Sequence, residues 1–181
     1  LRDYETRAVE VRVEQVKGQI RSLANQLISS NYLVNQDSGQ VDAQLSEFST
    51  LYDGRLLIID SMLNVVRDTY GLSENKTIVS QDVITCLTTG DQAGSEHYDR
   101  EDRFIEVVVP IIETRSREGL DAATQGGEAF FQDTKGQINM VRGVLLASTS
   151  TEYIQRTKEI LRQKAGTLQT IMLVVVFLVS I

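Results

Sequence analysis

The feature that most constrains this chain is an apolar run at its C-terminal end. Residues 165–181, AGTLQTIMLVVVFLVSI, contain no charged side chain. A strand buried in a core needs about 4–8 apolar residues. A helix that crosses the roughly 30 Å hydrocarbon layer of a membrane needs about 20. The run therefore predicts the start of a transmembrane helix at 168–181, and the alternative is a hydrophobic helix buried in a core or a dimer interface.

The composition excludes several classes of function. The net charge is −7, and binding to nucleic acid needs clustered Lys and Arg to neutralise phosphates, so no nucleic-acid partner is expected. Cys86 is the only cysteine, which excludes an internal disulfide and Cys-cluster metal sites. With His97 as the only histidine and no P-loop, GxGxxG or HExxH motif, we expect a non-catalytic segment without a cofactor.

The N-terminal segment, residues 1–34, predicts a long amphipathic helix. Its apolar residues recur at intervals of four and three, a heptad pattern typical of paired helices. Such a helix is about 45 Å long, more than a small domain is expected to cover, so we predict that its N-terminal half forms a parallel homodimer. The alternative is a helix packed on its own domain. The predicted dimer seam consists of Val9, Val13, Val16, Ile20, Leu23 and Leu27.

Residues 35–150 alternate between helix and strand patterns. A second helix is predicted in VDAQLSEFSTLYDG, with Val41, Leu45, Phe48 and Leu51 on one face and Gly54 at its end. Strands follow in RLLIID and NVVRDTYG, then a short helix in SQDVITCLTTG and a hairpin in SEHYDREDRFIEVVVPII. The last strand is INMVRGVLLAST, in which Gly143 indicates a bulge or a close backbone approach.

These patterns predict an α+β domain with an antiparallel sheet of about five strands and its helices on one side. Pro110 is expected near a strand end, and residues 113–135 are interpreted as a loop insertion. A juxtamembrane helix is predicted at 151–167, capped by Ser150 or Thr151. It leads into the apolar run.

The order of these stretches resembles a known protein family. A long helix, then DGRLLIIDSMLNVVRDTYG, FIEVVVPII and VRGVLLASTSTEYI leading into an apolar helix is similar to the extracytoplasmic sensor region of bacterial membrane sensor histidine kinases. The likeness is to the cell-wall-sensing kinases of Gram-positive bacteria and their relatives. It implies a PAS-like, single Cache fold with a long N-terminal helix and a C-terminal helix that enters the membrane.

The resemblance also implies the surroundings of this domain. One membrane helix would precede Leu1, and the second would lead to an ATP-dependent histidine kinase that phosphorylates a response regulator. The domain would then lie outside the cell membrane and sense a small ligand or an envelope component. The basic residues Arg156, Lys158, Arg162 and Lys164 favour the opposite orientation under the positive-inside rule. The alternative functions are a chemoreceptor sensor domain and a membrane-anchored envelope interaction module without signalling output.

In this fold type, the resemblance places a small-ligand pocket on the sheet face, under the loops after the second and third strands. The candidate contacts there are Arg67, Tyr70, Tyr98 and Arg103. An arginine can bind a carboxylate or phosphate, and tyrosines supply apolar rings with polar tips. Alternatively, the two arginines pair with neighbouring aspartates.

The turn SEHYDREDR also contains oxygen and imidazole groups that a divalent cation can use. Its spacing is not that of a known metal loop, so no metal site is assigned, and a solvated acidic turn is the alternative. The weak candidates for metal ligands are Glu96, His97, Asp99 and Asp102.

Overall fold

The computed structural model describes residues 2–35, 38–116, 130–132 and 137–152, and beyond these residues 154, 156–157, 159–160 and 162–163. The helices are α1 (Arg2–Ser29), α2 (Tyr32–Asn35), α3 (Gly39–Tyr52) and α4 (Gln81–Thr89). The strands are β1 (Gly54–Asp60), β2 (Val65–Asp68), β3 (Ser95–Asp99), β4 (Phe104–Ser116), β5 (Phe130–Gln132) and β6 (Gln137–Ser150). The described residues from 152 to 163 are helical.

One antiparallel sheet forms the centre of the fold. Its main path is β2-β1-β6-β4-β3, and the short β5 pairs with β6 beside this path. The central strand β6 pairs with β1 from Thr149 to Gly143 and with β4 along the whole length of β4. The predicted α+β class, the antiparallel sheet and the long N-terminal helix are confirmed.

Helices cover both faces of the sheet. Leu56 and Ile58 of β1 lie in the core under α1 and α3, whereas Leu57 and Ile59 lie in a second core with Val83 and Cys86 of α4. The prediction that the helices gather on one side is therefore wrong. Successive side chains of a strand point to opposite faces, and a continuous apolar run such as LLII is what a strand covered on both faces requires.

The predicted dimer seam of α1 packs against the chain's own sheet. All six of its side chains are at most 7% exposed and share one core with residues of β1, β4 and β6. The 28 residues of α1 span about 42 Å, and the 13 residues of β4 span about 43 Å. Because strand and helix have matching lengths, a single chain covers the whole seam. The seam residues are thus core residues in the chain, and homodimerisation stays a prediction that needs another surface.

The end of α3 differs from the prediction. Leu51 is 65% exposed and does not share the buried face of Val41, Leu45 and Phe48. The left-handed residue that ends the helix is Asp53, with φ 45°, and Gly54 already begins β1. An aspartate tolerates this conformation because its short polar side chain can bond locally.

Strand β4 continues well past Pro110. The carbonyl of Val108 faces the β3 side, next to Gly94, and backbone groups two residues apart point to the same edge of a strand. The nitrogen of Pro110 therefore faces the edge beyond the end of β3, where a missing N–H breaks no ladder bond. The predicted loop insertion 113–135 contains the last four residues of β4 and all of β5. Residues 117–129 and 133–136 lie outside the described residues.

Gly143 lies at a bulge and at a close backbone approach, as predicted. The partner of β4 changes from Gly143 at Ile111 to Val141 at Ile112, so Arg142 is the extra residue on β6. A Cβ atom added at Gly143 would lie 2.3 Å from the carbonyl oxygen of Ile59. Glycine is therefore required for β1 to approach β6 here.

No helix within the described residues is long and apolar enough to cross a membrane. The predicted span at 168–181 lies outside those residues. Within the predicted helix at 151–167, the described residues from 152 to 163 are helical, whereas residue 151 is not. Its start agrees with a cap at Ser150, whose Oγ accepts the N–H of Glu152 at 3.2 Å.

Candidate functional site

The four predicted ligand contacts do not form one site. Arg67 lies on β2 and Tyr70 just after it, whereas Tyr98 lies on β3. These strands are the opposite edges of the main path, and four strand spacings amount to about 19 Å. One small ligand cannot contact both edges.

Tyr98 and Arg103 hold one end of the domain together. The hydroxyl of Tyr98 donates to Oε1 of Glu5 at 3.2 Å, and its ring packs against the core under α1. The exposed Arg103 has φ 57°, and its carbonyl accepts the N–H of Thr151 at 2.8 Å. These contacts connect the start of α1, the turn between β3 and β4, and the first residues after β6.

The acidic turn is stabilised by its own hydrogen bonds. Oδ1 of Asp99 accepts the backbone N–H groups of Glu101 and Asp102 at 2.8 and 2.9 Å. Glu96 forms an ion pair with Lys17 of α1. Within the described part of the chain, no group of three or more His, Cys, Asp or Glu side chains is arranged to hold a metal ion.

A cleft of about 560 Å³ surrounds Arg67 and Tyr70. It lies between α3 and the loop that follows β2, and Tyr70 is 49% exposed in it. Hydroxyl groups from both walls add hydrogen-bonding capacity. The cleft is therefore the candidate ligand site, and its polar lining includes Asp42, Ser46, Ser49, Thr50, Thr69 and Glu74.

Asp68 organises the loop wall of this cleft. Its carboxylate accepts from Nε and Nη2 of Arg55 at 2.9 and 2.6 Å. It also accepts the backbone N–H groups of Tyr70, Leu72 and Ser73 at 2.8–2.9 Å. Burial by itself raises the pKa of Asp68, but these hydrogen bonds and the charge of Arg55 outweigh it and lower the pKa to about 2. A carboxylate that is ionised at neutral pH thus fixes the loop.

Arg67 has two carboxylate partners. Nη2 lies 3.4 Å from Oδ1 of Asp42 on α3, and Nη1 lies 3.2 Å from Oε1 of Glu74. Asp42 also accepts the hydroxyl of Tyr32 at 3.0 Å. Burial and this hydrogen bond raise the pKa of Tyr32 to about 12, so the tyrosine stays neutral.

The charges of the cleft therefore favour cations. Arg67, Asp42 and Glu74 together carry a net charge of −1, and Asp68 is neutralised by Arg55. A cationic or neutral ligand fits this balance better than the anion that Arg67 alone predicts. No sequence pattern indicates a role for Asp42, because only the packing of α3 brings it to Arg67 of β2.

No protein-family model matches the chain, and no curated protein is significantly similar to it. The resemblance to sensor kinases rests on the order of helix and strand patterns.

Proposed function

We propose that the chain is the signal-sensing input domain of a dimeric, membrane-bound two-component sensor histidine kinase. In this proposal the domain has a PAS-like, single Cache fold and lies on the outer side of the cell membrane. A chemoreceptor sensor domain would have the same input architecture with a different output. The observation that carries the proposal is the direct passage from the central strand β6 into a helix, which precedes the apolar run in the sequence.

The passage from β6 to the helix has no flexible linker. The N–H of Ser150 donates to the carbonyl of Asp53 at 3.2 Å, and the N–H of Thr151 donates to that of Arg103. Ile154, one turn later, is fully buried in the core under α1. A shift of the sheet would therefore move this helix, which is the coupling that a transmembrane receptor needs.

The cleft has a physical route to the same point. Its wall α3 ends at Tyr52, and the next residue, Asp53, holds Ser150 through its carbonyl. Ser49, which also lines the cleft, donates to the carbonyl of Gly54 at 2.8 Å. A ligand that moves α3 against the β2 loop would thus displace the residues at which β6 becomes a helix.

Autophosphorylation of the full-length protein tests the kinase proposal. Membranes that contain it should transfer the γ-phosphate of ATP to a histidine. The chain 1–181 is the matched control and should remain unlabelled, and His97→Gln in the full-length protein should label like the parent. An open reading frame that lacks a kinase region after Ile181 would contradict the proposal and favour a chemoreceptor or an interaction module.

The orientation is tested by labelling an introduced cysteine. Ser61 lies in an exposed turn, whereas Cys86 is buried and burial raises the pKa of its thiol to about 12. Intact cells with Ser61→Cys should react with a membrane-impermeant maleimide, and parent cells should not, because a buried thiol is inert. Labelling only after lysis would place the domain inside the cell.

The ligand class is tested by thermal shift with cationic, neutral and anionic metabolites. We expect cationic or neutral compounds to raise the Tm by mass action. Asp42→Asn and Glu74→Gln should weaken a cationic ligand, whereas Glu47→Gln, on the exposed side of α3, should leave it unchanged. A shift produced by anions alone would refute the assignment of the ligand class.

A further inference from the structure

Helix α1 carries a second seam on the side away from the sheet. Its members recur at intervals of four and three through three heptads, and none is charged. Tyr4 and Val11 are 38% and 53% exposed, and the others are exposed except for the half-buried Ala8. This outer seam consists of Tyr4, Ala8, Val11, Gln15, Gly18, Ser22 and Asn25.

The composition of the outer seam is unusual for a helix face in water, which normally carries charges. The charged residues of α1 flank the seam instead, with Arg7, Glu14 and Arg21 on one side. Gly18 lies near its centre, and glycine destabilises a helix relative to alanine. A Cβ atom added there would meet nothing within 4 Å, so the described part of the chain does not require this glycine. A glycine does allow a second backbone to approach closely.

We propose that the outer seam is the homodimer interface, occupied by the outer seam of a second copy in parallel orientation. The sustained heptad spacing indicates that the partner surface is also a helix. Gln15, Ser22 and Asn25 carry amide and hydroxyl groups that both donate and accept, so each can bond its own copy across a two-fold axis. The exposed Leu51 lies beside Ser22 across a shallow groove and extends the contact with apolar surface.

The flanking charges are compatible with the parallel arrangement. By heptad geometry, Glu14 and Arg21 face Gln19 and Gln26 of the second copy, which can accept or donate to either charge. Arg7 faces Arg12 of the second copy. The repulsion between these two like charges is reduced because Tyr52 holds the guanidinium of Arg12. That guanidinium lies 4.6 Å over the ring of Tyr52 and donates to its carbonyl at 2.8 Å.

The parallel direction rests on the proposed function. Glu5, near the start of α1, contacts Tyr98 at the end of the domain where Arg103 holds Thr151. The start of α1 and the helical residues after β6 therefore lie at the same end. Two parallel copies place both of these ends on the same side, as two chains held by one membrane require, whereas antiparallel copies place them on opposite sides.

Disulfide cross-linking of the full chain in membranes tests the interface. Paired residues at a close two-fold contact fall within disulfide reach, so Gly18→Cys should cross-link with its own copy on mild oxidation. Glu10→Cys, exposed on α1 but off the seam, is the matched control and should remain uncross-linked, and the buried Cys86 supplies no background. Cross-links between Val11→Cys and Asn25→Cys copies, without Val11 or Asn25 self-pairs, would show an antiparallel pair and overturn the proposal.

Analytical ultracentrifugation of the full chain in detergent gives the second readout. Val11→Glu should raise the dimer Kd at least tenfold, whereas Glu10→Gln should leave it unchanged, and both variants should keep the parent Tm. An unchanged dimer in Val11→Glu, or equal cross-linking at residues 10 and 18, would refute the interface. If the interface is refuted but autophosphorylation is intact, the proposed function still stands. If the interface is confirmed but the protein has no kinase output, the interface stands and the proposed function is wrong.

Discussion

Replacing Asp68 by asparagine is expected to destabilise the fold in a pH-dependent way. The carboxylate side chain is fully buried, and its partner Arg55 is 27% exposed. Asparagine keeps the size but loses the charge that holds Arg55 and three backbone N–H groups. Removing one member of a buried ion pair costs about 3–5 kcal/mol, and since water partly reaches Arg55, we expect a loss of about 3 kcal/mol at pH 7.

The pH dependence follows from the lowered pKa. The pKa of Asp68 is about 2 in the folded chain against an ordinary value of 3.8. At 1.36 kcal/mol per unit, this difference corresponds to about 2 kcal/mol of folding stability. Because the folded pKa is the lower one, this stability is present above about pH 4 and is lost as the pH falls towards 2.

Chemical denaturation between pH 2 and pH 7 measures the effect. The difference in unfolding free energy between the parent and Asp68→Asn should shrink by about 2 kcal/mol from pH 6 to pH 2. Asp102→Asn, the same change at an exposed carboxylate, should follow the parent within about 0.5 kcal/mol. If the parent and Asp68→Asn curves run parallel over this range, Asp68 does not hold its charge as the contacts indicate.

Three further predictions concern the core. Gly143→Ala should lower the free energy of unfolding by about 2 kcal/mol or more because its Cβ would meet the Ile59 carbonyl. Gly39→Ala, whose Cβ would meet nothing within 4 Å, should not destabilise the fold, and equal Tm values for the two variants would contradict this. Ile20→Ala should lower the free energy of unfolding by about 2–5 kcal/mol at every protein concentration, because Ile20 is buried within one chain. A loss of stability that depends on protein concentration would instead indicate that Ile20 lies in a dimer seam. Cys86 should react with a thiol reagent only after unfolding, since burial raises its pKa to about 12; rapid labelling of the folded chain would contradict its burial.

Local sequence patterns predicted the helices and strands, because the residues that determine each of them lie within a few positions of each other. The heptad spacing from Val9 to Leu27 predicted α1, and Gly143 marked the bulge in β6. The partner of the α1 seam was not predictable in the same way. Whether a seam of this length packs on a second helix or on its own sheet depends on the length of β4. The segment after Glu113 is polar and was predicted as a loop, so the sequence did not show where that strand ends.

The candidate site was predictable only in part. Arg67 and Tyr70 lie close together in sequence and do share a cleft. The resemblance places Tyr98 beside them, because it puts the pocket under the loops after the second and third strands, but the strand order places β2 and β3 at opposite edges. Asp42 becomes a partner of Arg67 through a tertiary contact, and no spacing rule connects an α3 residue to a β2 residue.

In the proposed receptor, the two seams of α1 have different roles: the buried seam from Val9 to Leu27 packs on the sheet, and the outer seam meets the second copy. Truncating a leucine or isoleucine of the buried seam to alanine costs about 2–5 kcal/mol, so a rearrangement of that seam would cost a large part of the stability of the fold. A ligand with 100-fold preference for one state supplies at most about 2.7 kcal/mol. The outer seam has few apolar side chains, Tyr4, Ala8 and Val11, beside its glycine and its amide and hydroxyl groups, so we expect alternative packings of the two helices to differ by less free energy. In the proposed receptor, a ligand that moves α3 would also move Leu51, which lies beside Ser22 of the outer seam. It would therefore act on a contact that a ligand of ordinary affinity is able to shift.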